Sequence, residues 1–269
     1  MRSKEERQRI SVRKELEKAE KQEERLKKQA LETERKGDGW RKELEGRVPD
    51  KVYGGLQAAF YKAFEMIFER GTGVIEKSFN GERLKEDYAV RDFTFQVKGD
   101  RGSLKRFRKG AGRLHGVNLA LTSAEGIGLG IFGIGLPDIA VFTGVLLKGV
   151  YETALYYGFD YEGMEERYFI LKLMETAVSK GHLWVRGNEE LDEFFAGRGR
   201  TVDGQVLKEQ IRKTAEAFAV DMVFLKFIQG LPVAGVIGDA GNPYVYRKVM
   251  RYVEIKYRKR YLLGKEGKR

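Results

Sequence analysis

Gly126-Ile-Gly-Leu-Gly-Ile-Phe-Gly-Ile-Gly-Leu-Pro137 leads into Asp138 and a second apolar run, Ile139 to Leu147. Glycines alternate with apolar side chains, and Asp138 is the only charge between Glu125 and Lys148. Interior glycine costs a helix about 1 kcal/mol relative to alanine. A backbone this rich in glycine belongs where it packs very closely, bends or meets something apolar. Asp138, in the first turn after Pro137, suits the positive end of a helix that runs to Tyr157-Gly158.

Helical patterning continues on both sides. Val52, Leu56, Ala59, Phe60, Ala63, Phe64 and Ile67 follow a 3.6-residue period behind the Pro49-Asp50 start signal. Helices are also predicted over 101–121, 161–178, 206–229 and 243–263. The segment 84–97 fits strand or loop by pattern, and 184–200 reads as charged and irregular. A second short apolar glycine run, 230–238, precedes the last helix. The expected fold is all-α: a multi-helix bundle carrying two glycine-rich apolar hairpin elements.

Residues 1–47 are rich in Lys, Arg and Glu. Val12, Leu16, Ala19, Leu26 and Ala30 fall on a 4-3 spacing, with Glu23 in the slot between Ala19 and Leu26. Such a seam is poor for a coiled coil. The segment reads as a charged, solvent-exposed helix held by i,i+4 ion pairs and broken at Gly37-Asp38-Gly39, with a role as a protein-partner coil as the alternative. The chain accordingly divides into 1–47, a helical domain 48–265 and a basic end 266–269.

The 269 residues contain no cysteine and two histidines, His115 and His182. Disulfides, thiolate chemistry and thiolate metal sites are excluded, and nothing has ligand spacing, so neither a metal nor another cofactor is expected. The charged start leads into no apolar core of a secretory signal. The net charge of +11 is concentrated: 98–113 carries a surplus of six positive charges and 247–269 a surplus of eight. Such clusters call for an anionic partner. The cations expected to meet it are Arg101, Lys105, Arg106, Arg108, Lys109 and Arg113 in the first cluster. In the second they are Arg251, Lys256, Arg258, Lys259 and Arg260.

Residues 126–147 are long enough to cross a membrane. A charge at mid-span, however, costs about 2.5–3.5 kcal/mol on insertion scales. Gly128, Gly130 and Gly133 match the letters of a dinucleotide fingerprint. That motif needs a preceding strand and a helix opening at the third glycine, whereas here Gly135 and Pro137 follow. Gly128, Gly130, Phe132, Gly133, Gly135 and Pro137 are therefore read as an apolar packing or lipid-facing element. Asp138 reads first as a helix cap. Asp138 and Asp221, the latter inside an apolar helix with Lys226 as counterion, are also candidates for a buried acid/base pair.

The block Gly128-Leu-Gly-Ile-Phe-Gly-Ile-Gly-Leu-Pro-Asp-Ile-Ala-Val-Phe-Thr-Gly-Val-Leu-Leu-Lys-Gly-Val-Tyr-Glu-Thr-Ala-Leu-Tyr-Tyr-Gly-Phe-Asp160 resembles the EcsC family. So does Leu231-Pro-Val-Ala-Gly-Val-Ile-Gly-Asp-Ala-Gly-Asn-Pro-Tyr244 with its basic, aromatic tail. The resemblance spans roughly 48–265. It implies a bacterial, mostly helical, membrane-associated protein accessory to an ABC exporter, and it carries over no catalytic residue. The expected function is that of a non-enzymatic peripheral membrane protein on the cytoplasmic side of the cell membrane, meeting an anionic lipid surface or membrane transport subunits. The alternatives are a hydrolase for lipid or peptide at Asp138 and Asp221, and a nucleic-acid-binding bundle.

Overall fold

The computed structural model describes residues 3–45, 50–70, 73–124, 137–199, 201–228 and 241–266. These form α1 (Lys4–Glu45), α2 (Asp50–Arg70), α3 (Gly73–Glu76), α4 (Gly81–Lys98), α5 (Arg101–Ala124), α6 (Pro137–Tyr156), α7 (Met164–Val178), α8 (Gly181–Phe195), α9 (Gly204–Ile228) and α10 (Gly241–Glu266). There is no strand among the described residues, and the chain is an all-α bundle. The glycine-rich runs 126–136 and 230–238, including Gly128, Gly130, Phe132, Gly133 and Gly135, lie outside the described residues. So do the side chains of Pro137 and Asp138.

The apolar run after Pro137 becomes α6, packed against α2, α4, α5 and α10. Ile139, Leu146, Val150 and Tyr151 are fully buried there. Within α6, Ile139–Tyr156 is the one described segment long and apolar enough to cross a membrane, and it is 89% buried inside the protein. α6 ends in the turn expected at Tyr157-Gly158. Gly158 has φ +83°, and a Cβ there would also collide with the ring of Tyr88 from α4.

Three local expectations are corrected. Segment 84–97 is helical, capped by Asn80, whose side chain accepts from the Arg83 N–H, and closed by Gly99 in the left-handed conformation. Residues 181–195 are helix α8, burying Gly181, Trp184, Gly187 and Leu191 and packing Val185, Phe194 and Phe195 against the core. Gly37-Asp38-Gly39 breaks nothing, because the α1 backbone continues through it to Glu45.

The largest correction concerns residues 1–47. α1 packs along α10, α8 and α5, with Val12, Leu16, Ala19 and Ala30 buried. Glu23, which interrupts the apolar seam in sequence, is buried with them. Lys256 Nζ, on α10 and wholly inaccessible, donates to Glu23 Oε1 at 2.7 Å, Asp192 Oδ1 at 2.6 Å and Asn188 Oδ1 at 3.0 Å. Lys259 Nζ donates to the other oxygens of the same carboxylates, Glu23 Oε2 at 2.7 Å and Asp192 Oδ2 at 2.8 Å. Two ammoniums and two carboxylates thus close a ring that ties α1, α8 and α10 together.

Lys256→Met would leave Glu23 and Asp192 sharing Lys259. Removing one partner of a buried ion pair costs about 3–5 kcal/mol. Urea unfolding should lose stability on that scale, and the Glu23→Gln/Lys256→Met double variant should lose less than the two single losses added. Strict additivity would mean that α1 is not held through this ring.

Candidate functional site

α7 ends at Val178, and Ser179 and Lys180 continue in extended conformation before Gly181 (φ +57°) turns the chain into α8. The space next to Gly181 is filled by the Glu34 carboxylate of α1, which accepts from the His182 backbone N–H at 3.2 Å. This kink sends Lys180 inward. Its Nζ donates to Asp221 Oδ1 at 2.6 Å, and Lys248 Nζ from α10 donates to the same oxygen at 3.1 Å and to the Val178 carbonyl at 3.1 Å. Burial alone would raise the Asp221 pKa, but the charges and hydrogen bonds of Lys248 and Lys180 outweigh it and hold the carboxyl below the usual carboxylate range. Asp221 Oδ2 is buried and has no hydrogen-bond partner among the described residues.

Asp221, Lys180 and Lys248 line a cavity of about 100 Å³ walled by Trp184, Phe224 and Tyr252. An outer cleft of about 360 Å³ adjoins it, since Ser179 and Lys180 line both. The outer walls carry Lys172, Arg186, Arg212 and Lys213 among Glu34, Glu175 and Glu216. Among the described residues no three or more His, Cys, Asp or Glu side chains converge as metal ligands.

The sequence singled out Asp221 but neither lysine that binds it. Lys226, the counterion expected from its position on the same helix, has its side chain outside the described residues, as does Asp138. A lone aspartate in an apolar helix was the legible signal. Its partners come from other helices and leave no local trace.

The predicted anion-binding cations separate into two groups. Arg101, Lys105, Arg106 and Lys109 are exposed on α5, and Arg251 is exposed on α10. Arg108 is half-buried against Glu15, its Nε 3.3 Å from Oε2, and Arg113 has its side chain outside the described residues. Lys256, Arg258, Lys259 and Arg260, expected to face an anionic surface, turn inward. Besides the Lys256–Lys259 ring, Arg258 donates to Gln22 and to Glu254 Oε1, and Arg260 donates to Glu166 Oε2 at 2.6 Å. Glu166 also accepts from the Tyr257 hydroxyl at 2.7 Å, and its pKa is still raised because burial dominates.

A surface feature missed in sequence lies beside the exposed part of the first cluster. Val90, Phe93 and Val97 on α4 are 66%, 67% and 51% exposed. Their 3-4 spacing places them along one helix face, a pattern that becomes visible once 84–97 is known to be helical. Only Gly99 and Asp100 separate α4 from α5. Val97 therefore lies within about 14 Å of Arg101 even along a fully extended chain.

A model of the EcsC protein family matches residues 11–262. The chain belongs to the EcsC family. The match takes in most of α1, in line with the packing of that helix into the bundle, whereas the sequence resemblance began near residue 48. No protein of curated function and no solved structure matches the chain. EcsC membership thus identifies the fold unit and supplies no site chemistry of its own.

Because the Asp221 pKa is depressed in the folded state, its contribution to stability is complete above the unfolded value of about 3.9 and is lost as pH falls through the lower folded value. Asp221→Asn should lower stability at neutral pH and flatten the acid limb of a urea-midpoint profile. An unchanged acid limb would mean that the two lysines do not hold this carboxylate ionised.

Proposed function

We propose that this EcsC-family protein is a peripheral membrane protein that docks on an anionic lipid surface through the α4–α5 edge. The observation that carries the reading is the exposed stripe Val90, Phe93 and Val97, next to the exposed cations Arg101, Lys105, Arg106 and Lys109. Single exposed apolar residues are ordinary, but three in one helical row beside a basic helix form an interfacial pattern. Each cation near an anionic leaflet contributes about 1 kcal/mol, and the apolar row supplies a part that salt does not screen. The docking face differs from the one expected in sequence, because most of the second basic cluster is engaged inside the bundle. Arg247 and Arg251 are its exposed cations among the described residues.

In this reading the protein sits on the cytoplasmic face of the cell membrane, accessory to a transport or secretion system and without catalysis of its own. The hydrolase alternative is less well supported: it needs a proton-holding carboxyl, and Asp221 is held ionised by Lys248 and Lys180. Nucleic acid would engage the same cations but has no use for the apolar row.

Flotation with phosphatidylglycerol vesicles tests the reading. The unmodified chain should float with them and partly persist at high salt. Arg101→Gln/Lys105→Gln/Lys109→Gln should weaken low-salt binding about 100-fold, at about 1 kcal/mol per cation removed. Val90→Ser/Phe93→Ser/Val97→Ser should abolish the salt-resistant part. Unchanged flotation of both variants, or a nucleic-acid shift with no vesicle binding, would overturn the proposal.

A further inference from the structure

The inner cavity at Asp221 has features of a ligand site that the docking reading does not use. Among the described residues three charged side chains line it, Lys180, Lys248 and Asp221. Both lysines are bound to a single carboxylate oxygen, Asp221 Oδ1. The other oxygen, Oδ2, is buried and accepts nothing among the described residues. A buried carboxylate oxygen without a donor is costly, so this atom is an acceptor in want of a hydroxyl or similar donor. Lys248 uses two of its three N–H donors among the described residues, on Asp221 and on the Val178 carbonyl, leaving a third for an acceptor.

Size and walls narrow the chemistry further. An apolar cavity of about 150 Å³ takes benzene, so the roughly 100 Å³ here suits a body of about three or four carbons. Trp184 and Tyr252, with ring centroids 5.4 Å apart, give it a rigid aromatic wall. Ala30 of α1 and Ala177 of α7 are small residues in the same lining. The adjoining outer cleft shares Ser179 and Lys180 with the cavity and gives a charged group extending from it room among ion-paired side chains, Lys172 and Arg186 with Glu190 and Arg212 and Lys213 with Glu209.

We infer that this cavity binds a small hydroxylated anion, a three-carbon polyol phosphate or hydroxycarboxylate. Its hydroxyl donates to Asp221 Oδ2 and its anionic group accepts from Lys248. A glycerol phosphate has this chemistry either as a free metabolite or as the headgroup of a phospholipid. The inference is independent of membrane docking, since a soluble ligand would occupy the site in the absence of any vesicle.

The test is calorimetric titration of the full chain with glycerol phosphate, with glycerol and inorganic phosphate as single-feature probes. Saturable binding of glycerol phosphate is expected, at least tenfold weaker for either single-feature probe, because each satisfies only one of the two partners. Ala30→Leu, which fills the cavity without touching its charges, should weaken binding at least tenfold. Asp221→Asn should do the same where it folds. Comparable binding of short-chain phosphatidylglycerol below its micellar concentration would assign the site to a lipid headgroup, and its failure to bind would assign it to a free metabolite. Absence of saturable glycerol phosphate binding, or undiminished binding by Ala30→Leu, would overturn the inference.

Discussion

Lys256 is wholly buried on the central face of α10, and everything around it is arranged to keep its charge there. Moving an ammonium out of water costs several kcal/mol unless it is met by opposite charge in good geometry. Here burial pushes the Lys256 pKa down, while Glu23 and Asp192 act against that shift. Because Lys259 binds the remaining oxygens of the same two carboxylates, neither acid can move without stranding two cations. Such a ring adds less net stability than an apolar core of the same volume would. It strongly penalises any register in which α1 or α8 is displaced, since the charges would then be buried unpaired.

The same logic repeats along α10. Tyr257 and Arg260 meet Glu166 of α7, and Tyr261 and Lys265 meet Asp92 of α4. Arg258 reaches back to α1 through Gln22. The helix with the most conspicuous basic run in the chain is therefore a hub: Lys256, Lys259, Arg260 and Lys265 meet carboxylates on the helices around it, while Arg247 and Arg251 stay exposed. A further set of exposed cations, Arg101, Lys105, Arg106 and Lys109, sits at the start of α5, the helix that follows the apolar row of α4. Net charge and its clustering predict that some anionic partner exists, but only tertiary pairing decides which cluster can meet it.

This explains what was legible in the sequence. Helices with a continuous apolar stripe, α2, α6, α7 and α9, were readable from period alone, as was the Tyr157-Gly158 turn. α8 was not, because its charges drew the reading although Trp184, Leu191, Phe194 and Phe195 pack on the core. α1 was readable as a helix but misplaced: its seam contains Glu23 at an apolar position, and a charge there looks like a break until Lys256, some 230 residues further on, is seen to fill it. At the candidate site Asp221 stood out as an acid in an apolar helix. Lys180 and Lys248 did not, since one lies in an interhelical kink and the other looked like one more cation of a basic tail.

The bundle so described is an EcsC-family unit that includes its charged first helix. The α4–α5 edge, proposed to dock on membranes, and the Asp221 cavity are separate surfaces on it, and α1 contributes Ala30 to the second. Native-state hydrogen exchange across α1 tests the central claim most directly. If Glu23 and its ring hold α1 in the fold, amides from 11 to 30 should exchange with protection close to that of α7 and α10, opening only with the whole domain. Exchange of those amides at rates typical of a frayed, solvated helix, while α7 and α10 stay protected, would contradict it.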